Sequence, residues 1–89
     1  MPKFLKSLEF DQAAFEDLAW WIENDRKKAL KIINLIKEVQ RSPFSGTGKP
    51  EMLKHELSCC WSRRIDEEHR LVYEVSETKI RILACRYHY

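Results

Sequence analysis

The sequence predicts an α+β domain of order β-α-α-β-β-β, on three observations. Residues 12–41 carry two stretches with the three-four apolar spacing of amphipathic helices. Residues 69–75 and 81–89 alternate apolar and polar side chains on either side of a short polar break, as a β-hairpin does. Between the two halves, residues 42–51 hold both glycines and two of the three prolines, a loop whose backbone is dictated by composition. Helices grouped at one end and strands at the other favour a mostly antiparallel sheet packed against an N-terminal helix pair.

Phe4, Leu8 and Phe10 alternate with polar neighbours, Lys6 being the interruption, and predict a short strand with one buried face. Asp11 suits a helix N-cap, where a short side-chain oxygen can accept from an unpaired amide. Phe15, Leu18, Ala19 and Ile22 then mark the apolar face of the first helix, widened by Trp20 and Trp21. Asn24 and Asp25 break and recap it. The second helix carries Ala29, Ile32, Ile33, Ile36 and Val39 on its core face, with Arg26, Lys27, Lys28, Lys31, Lys37 and Arg41 elsewhere around it. Pro43 ends it by ring clash and a missing N–H. So tight a break makes the helices antiparallel neighbours. Strands follow over 60–65, 70–75 and 80–87, with a polar turn at 66–69.

Eighty-nine residues make one domain, 1–89, and a chain this short hides only about 60–65% of the surface its unfolded form exposes. The core is therefore expected to be thin. The net charge of +2 says little about partners, but its distribution is uneven: residues 1–25 hold six acids and two bases, residues 26–41 six bases and one acid. That makes a local basic face. Cys59, Cys60 and Cys85 fit neither a disulfide framework nor the spacing of a zinc knuckle, so reduced thiols and no metal are expected. No signal peptide opens the chain, and no apolar run approaches the ~20 residues that span a bilayer. A cytoplasmic protein without membrane contact is expected.

Groups able to do acid-base work crowd the second half: Glu51, Lys54, His55, Arg63, Arg64, Glu67, Glu68, His69, Arg70, Arg86 and His88. Internal transesterification of RNA needs a base for the 2′ proton, an acid for the departing 5′ oxygen, and cations for the charge that builds at phosphorus. Glu, His and Arg supply these without a metal or other cofactor. Composition alone is weak support, because a lone Glu at a loop end is ordinarily solvated and adjacent arginines ordinarily face water. Trp20, Trp21 and Trp61 read as core rather than as base-stacking platforms, and His55 and His69 as surface or turn residues. His88 stands apart: an imidazole between Tyr87 and Tyr89 at the end of the sequence has little core to serve.

Ser42-Pro-Phe, Gly46-Thr-Gly-Lys-Pro-Glu51, Leu53-Lys-His, Leu57-Ser, Trp61-Ser-Arg-Arg-Ile65, Glu67-Glu-His-Arg-Leu-Val-Tyr73 and Ala84-Cys-Arg-Tyr-His-Tyr89 closely resemble the YoeB (Txe) toxins, members of the RelE-like superfamily of bacterial toxin–antitoxin modules. The likeness runs over nearly the whole chain, in the family's order and spacing. It implies a microbial-ribonuclease-like fold and a ribosome-dependent, metal-free mRNA endonuclease acting on the A-site codon. Carried over by position, Glu51 matches the general base, His88 the general acid, Arg70 the phosphate-stabilising cation and Tyr89 the tyrosine that positions substrate. RNA contact is expected from Lys49, Lys54, Arg63, Arg64, Glu68, Arg86 and Tyr87. The resemblance also implies a YefM-like antitoxin, the ribosome with its mRNA, and operator DNA reached only through the antitoxin, and leaves homodimerisation open. Two other classes compete with the enzyme: a catalytically silent module docking on the ribosome through the basic helix, and a partner protein serving chiefly as co-repressor.

Overall fold

The computed structural model describes residues 5–53 and 60–87. Its elements are β1 (Ser7–Phe10), α1 (Gln12–Asn24), α2 (Arg26–Arg41), β2 (Glu51–Met52), β3 (Cys60–Arg64), β4 (Arg70–Val75) and β5 (Lys79–Ala84). The α+β class and the element order are those the sequence predicts, with one strand added: Glu51 and Met52 pair antiparallel with β3 at the end of the Gly/Pro stretch. The sheet order is β1-β5-β4-β3-β2. Among the described strands, β1 and β5 run parallel and the other neighbours antiparallel.

The core forms where α1 and α2 cover one face of this sheet. Ala14 and Trp21 from α1 and Ala29, Ile32, Leu35, Ile36 and Val39 from α2 meet Leu71, Tyr73, Ile80 and Ile82 from the two central strands. The face of α2 is nearly as its periodicity predicts, with Leu35 inside and Ile33 only half-buried. The face of α1 is turned. Phe15 and Ile22, expected inside, are 60% and 46% exposed and Ala19 is exposed as well, whereas Leu18 and Trp21 face the core as expected and Ala14 joins them. Trp21 decides this rotation, because its large ring contributes most burial and its indole N–H needs a partner. That partner is the Cys85 carbonyl, at 2.8 Å.

Asp25 caps α2 as expected, its Oδ1 accepting from the Lys28 amide at 3.2 Å. Asp11 holds the N-cap position of α1 in extended conformation, but its carboxylate makes no capping bond. It pairs instead with Arg81 at 2.7 Å, because the parallel β1–β5 contact brings that guanidinium alongside. β1 is an edge strand with no fully buried side chain: Leu8 is 38% exposed, and Phe10 is half-buried against the core. β5 ends at Ala84, short of the expected 87. The pairing shifts there, with Val72 opposite Ala84 but Tyr73 opposite Ile82, so Leu83 is an extra residue that bends the strand.

Candidate active site

Strand alternation sorts the sequence's candidate residues onto two faces. Residues directly opposite one another across a ladder share a face, and neighbours along a strand do not. Trp61 lies opposite Tyr73 and Arg63 opposite Leu71, on the helix side with the core. Arg64 lies opposite Arg70, and Ser62 opposite both Val72 and Glu51, on the face turned away from the helices. Glu51, Arg64 and Arg70 therefore gather on one face. Arg64 and Arg70 are directly opposed, which puts their Cβ atoms about 4.5–5.5 Å apart. Glu51 stands one strand over from β3, about 4.8 Å, and two residues along, about 6.7 Å.

The same alternation corrects the expectation for Arg63. It is fully buried and cannot reach RNA. All five of its N–H donors are used inside the protein. Nε donates to the Tyr73 hydroxyl at 3.2 Å, Nη1 to Glu38 Oε1 at 2.5 Å and the Thr47 carbonyl at 3.2 Å, and Nη2 to the carbonyls of Ser42 and, at 2.8 Å, Ser45. The Tyr73 hydroxyl in turn donates to the Pro43 carbonyl at 2.6 Å. Arg63 is thus the post around which the loop from 42 to 48 is wound. Glu38 completes the arrangement, accepting from the Thr47 amide at 2.7 Å and its hydroxyl at 3.1 Å. The Thr47 amide, followed by the Thr47 hydroxyl and the Arg63 guanidinium, holds the Glu38 carboxyl below the usual range despite partial burial.

The wound loop delivers β2 and Glu51 to the edge of β3. Gly48 accepts from the Arg64 amide at 2.7 Å with φ at +87°. A Cβ there would stand 3.0 Å from the Arg64 carbonyl oxygen and 3.1 Å from Arg63 Cβ, so this close approach demands glycine. Lys49, exposed beside it, also has a positive φ, +52°.

Asp66 builds the turn that carries Arg70. Its Oδ1 accepts from the amides of Glu68 at 2.8 Å and His69 at 2.7 Å, and its Oδ2 pairs with Lys28 at 3.1 Å. Burial pushes its carboxyl up, but the two amides and the Lys28 ammonium outweigh that and hold it at about 2. Arg70 Nη1 is braced by the carbonyls of Asp66 at 2.8 Å, His69 at 3.0 Å and Glu67 at 3.3 Å. Glu68 is exposed on the turn.

Beyond β5 the chain is pinned by α1 and by the start of β4. The Cys85 amide donates to Asp17 at 3.0 Å, and the Arg86 guanidinium lies 3.6 Å over the Trp20 ring and 4.7 Å from that of Tyr87. Trp21 is core, and Trp20 and Trp61 pack against it, as read from the sequence. His69, read as a surface or turn residue, does close the turn at 66–69 but is not on the surface. Its side chain is only 12% exposed, and its Nδ1 accepts from the Tyr87 amide at 2.7 Å. The Val75–Ile80 register of the hairpin, continued outward, sets position 69 across from 86, and the extra residue at Leu83 is what brings 87 there instead. Lys54, His88 and Tyr89 lie outside the described residues, as do His55 and Cys59. Cys60 and Cys85 are both buried, and neither forms a disulfide among the described residues. Among the described residues, no group of three or more His, Cys, Asp or Glu could hold a metal ion, and no helix is long and apolar enough to cross a membrane.

Two helices on a mostly antiparallel five-stranded sheet, with a carboxylate and opposed arginines on its far face, make a RelE-like fold. The family model of the YoeB-like toxin of bacterial type II toxin-antitoxin systems matches residues 10–89, and the chain belongs to that family. It is 54% identical over 85 residues to Toxin YoeB of Mycobacterium bovis, covering 96% of this chain and all of that one. Among solved structures it is similar to the YoeB dimer from Staphylococcus aureus (TM-score 0.87, 45% identity, 94% of this chain and 98% of that one). It is similar also to the heterotetrameric YoeB-YefM toxin-antitoxin complex from the same organism (TM-score 0.85, 45% identity, 94% and 98%).

Proposed function

We propose that this chain is a ribosome-dependent mRNA endoribonuclease that cuts within the A-site codon by metal-independent acid-base transesterification, inhibiting translation. The observation that carries the reading is the opposed Arg64–Arg70 pair on the same sheet face as Glu51. Like charges directly opposite across a ladder oppose folding, and a phosphodiester seated between them replaces that repulsion with charge-assisted hydrogen bonds. Glu51 takes the proton of the 2′-OH, and the 2′ oxygen attacks the adjacent phosphorus. Arg70, with Arg64, stabilises the charge on the non-bridging oxygens. As the P–O2′ bond forms the P–O5′ bond breaks, and His88 gives its proton to the departing 5′ oxygen. The products carry a 2′,3′-cyclic phosphate and a 5′-OH. Tyr89 positions the substrate, and Lys49, Lys54, Glu68, Arg86 and Tyr87 border the RNA.

The exposed bases of α2, Arg26, Lys27, Lys31, Lys37 and Arg41, support attachment of that helix to ribosomal RNA phosphates. The staphylococcal YoeB-YefM complex supports a YefM-like antitoxin for this chain. Its acidic segment would fold over the surface of Lys49, Arg64 and Arg70 and neutralise it, and the complex would act as co-repressor of its own operon. The staphylococcal YoeB dimer likewise supports a homodimer.

The deciding experiment places 2′-deoxy or 2′-O-methyl nucleotides at the cut site of an mRNA on a stalled ribosome. Cleavage is expected to stop there while neighbouring unmodified controls are cut. Continued cleavage at the modified site would remove the internal nucleophile, and with it the role given to Glu51.

A further inference from the structure

His69, the one imidazole among the described residues, has no part in the chemistry above, yet it is closely engaged. It is wedged between the Trp21 ring, edge to face at 4.8 Å and 87°, and the Tyr87 ring at 5.4 Å. Its Nδ1 accepts the Tyr87 N–H at 2.7 Å, while the Arg70 N–H donates to the Tyr87 carbonyl at 3.1 Å. Tyr87 is therefore gripped on both of its peptide groups. It also has φ at +63°, a left-handed conformation that non-glycine residues adopt only where their surroundings hold them there. An imidazole that accepts at Nδ1 is neutral and carries its proton on Nε2. That proton faces Glu68 Oε1 at 3.8 Å, too far for a hydrogen bond.

The next two residues along the chain are His88 and Tyr89. A left-handed turn at Tyr87 sets the direction in which the backbone leaves for them, and the turn depends on the acceptor at His69. Arg86 cannot substitute for it, since its guanidinium, laid on Trp20, has donors only. Nor can Cys85, whose amide and carbonyl are already taken by Asp17 and Trp21.

We infer that His69 is a positioning residue: its neutral Nδ1 holds the Tyr87 amide and so fixes the left-handed turn at Tyr87, the residue that immediately precedes His88 in the chain. This rests on the reading of His88 as the acid, and it predicts a defined pattern among three substitutions. His69→Asn keeps an acceptor near the Nδ1 position. His69→Gln carries its amide to the Nε2 position and loses that acceptor, and His69→Phe keeps the ring but has no acceptor at all. A displacement of about 1 Å at a reacting group costs on the order of 10²-fold in rate. We therefore expect His69→Gln and His69→Phe to lower single-turnover kcat on programmed ribosomes by roughly that factor with KM little changed, and His69→Asn to recover most of it.

A second readout needs no cleavage. In the parent, ¹⁵N spectra should show His69 as the Nε2–H tautomer and the Tyr87 amide should be protected from exchange. That protection should survive in His69→Asn and vanish in His69→Gln. Parental cleavage by His69→Gln with the Tyr87 amide unprotected would overturn the inference, as would equal rates for the Asn and Gln forms or an unprotected Tyr87 amide in the parent. His88→Gln, assayed alongside, separates the two readings. Parental cleavage by that variant would refute the acid assignment, whereas the exchange pattern at Tyr87 would still report on the clamp.

Discussion

Arg63 and Arg64 are chemically identical neighbours, and strand alternation predicts opposite consequences for replacing them. Arg63→Met removes one partner of a buried ion pair and strands the carbonyls of Ser42, Ser45 and Thr47 beside Glu38. Breaking such a pair costs about 3–5 kcal/mol. Glu38 keeps 29% of its side chain exposed and can recover some hydration, so the lower end, about 3 kcal/mol, applies. In a domain of this size, 1 kcal/mol moves the melting temperature by roughly 4–8 °C, so Arg63→Met should melt about 12–24 °C below the parent. Lysine should not rescue it, since one ammonium cannot reproduce a planar fork of five donors. Arg64→Met, at an exposed position, should change stability by no more than about 0.5 kcal/mol while losing cleavage. Melting followed by far-UV circular dichroism, paired with single-turnover cleavage, reads both effects. Equal melting of the Arg63→Met and Arg64→Met proteins would refute the account of Arg63 as the post of the loop.

Two further outcomes follow from the buried and paired groups. Asp66, held at about 2 against its ordinary 3.8, and Glu38, held below 4.5, bind protons more weakly folded than unfolded. Their contribution to stability is therefore complete above the unfolded values and is lost as pH falls toward about 2. Acid titration of Asp66→Asn should show a shallower fall than the parent, and identical acid curves would contradict the Asp66 turn. Burial, followed by the Asp17 carboxylate, pushes the Cys85 thiol up to about 12, and the thiolate is the reactive form. Iodoacetamide at pH 8 should leave Cys85 unmodified in the native protein and label it after denaturation, as peptide mass spectrometry would show. Native labelling at the rate of a free thiol would disprove its burial.

Local periodicity carried much of the fold in legible form. The apolar stripe of α2, its stop before Pro43 and the limits of β4 at Arg70–Val75 were all readable, because each depends on backbone geometry repeating over a few residues. The candidate site was legible as a set of residue types and as family motifs. Its arrangement was partly implicit in strand alternation, which sends Arg63 and Arg64 to opposite faces as soon as residues 60–65 are read as a strand.

What the sequence could not decide were choices settled by partners far along the chain. α1 has two overlapping apolar stripes, and the one that faces inward is selected by Trp21 reaching the Cys85 carbonyl, 64 residues away. Asp11 gives up its cap for Arg81, since β1 lies parallel to β5 rather than at another edge. Glu51 joins a strand because Arg63 winds the preceding loop back against β3. His69 reads as a turn residue until the bent end of β5 brings the Tyr87 amide to it. Residue pattern specifies the elements through short-range geometry, whereas the partner of each buried polar group is chosen only when distant segments close together. On β3, those choices decide that Arg63 is buried to hold the loop while Arg64 stays exposed on the opposite face.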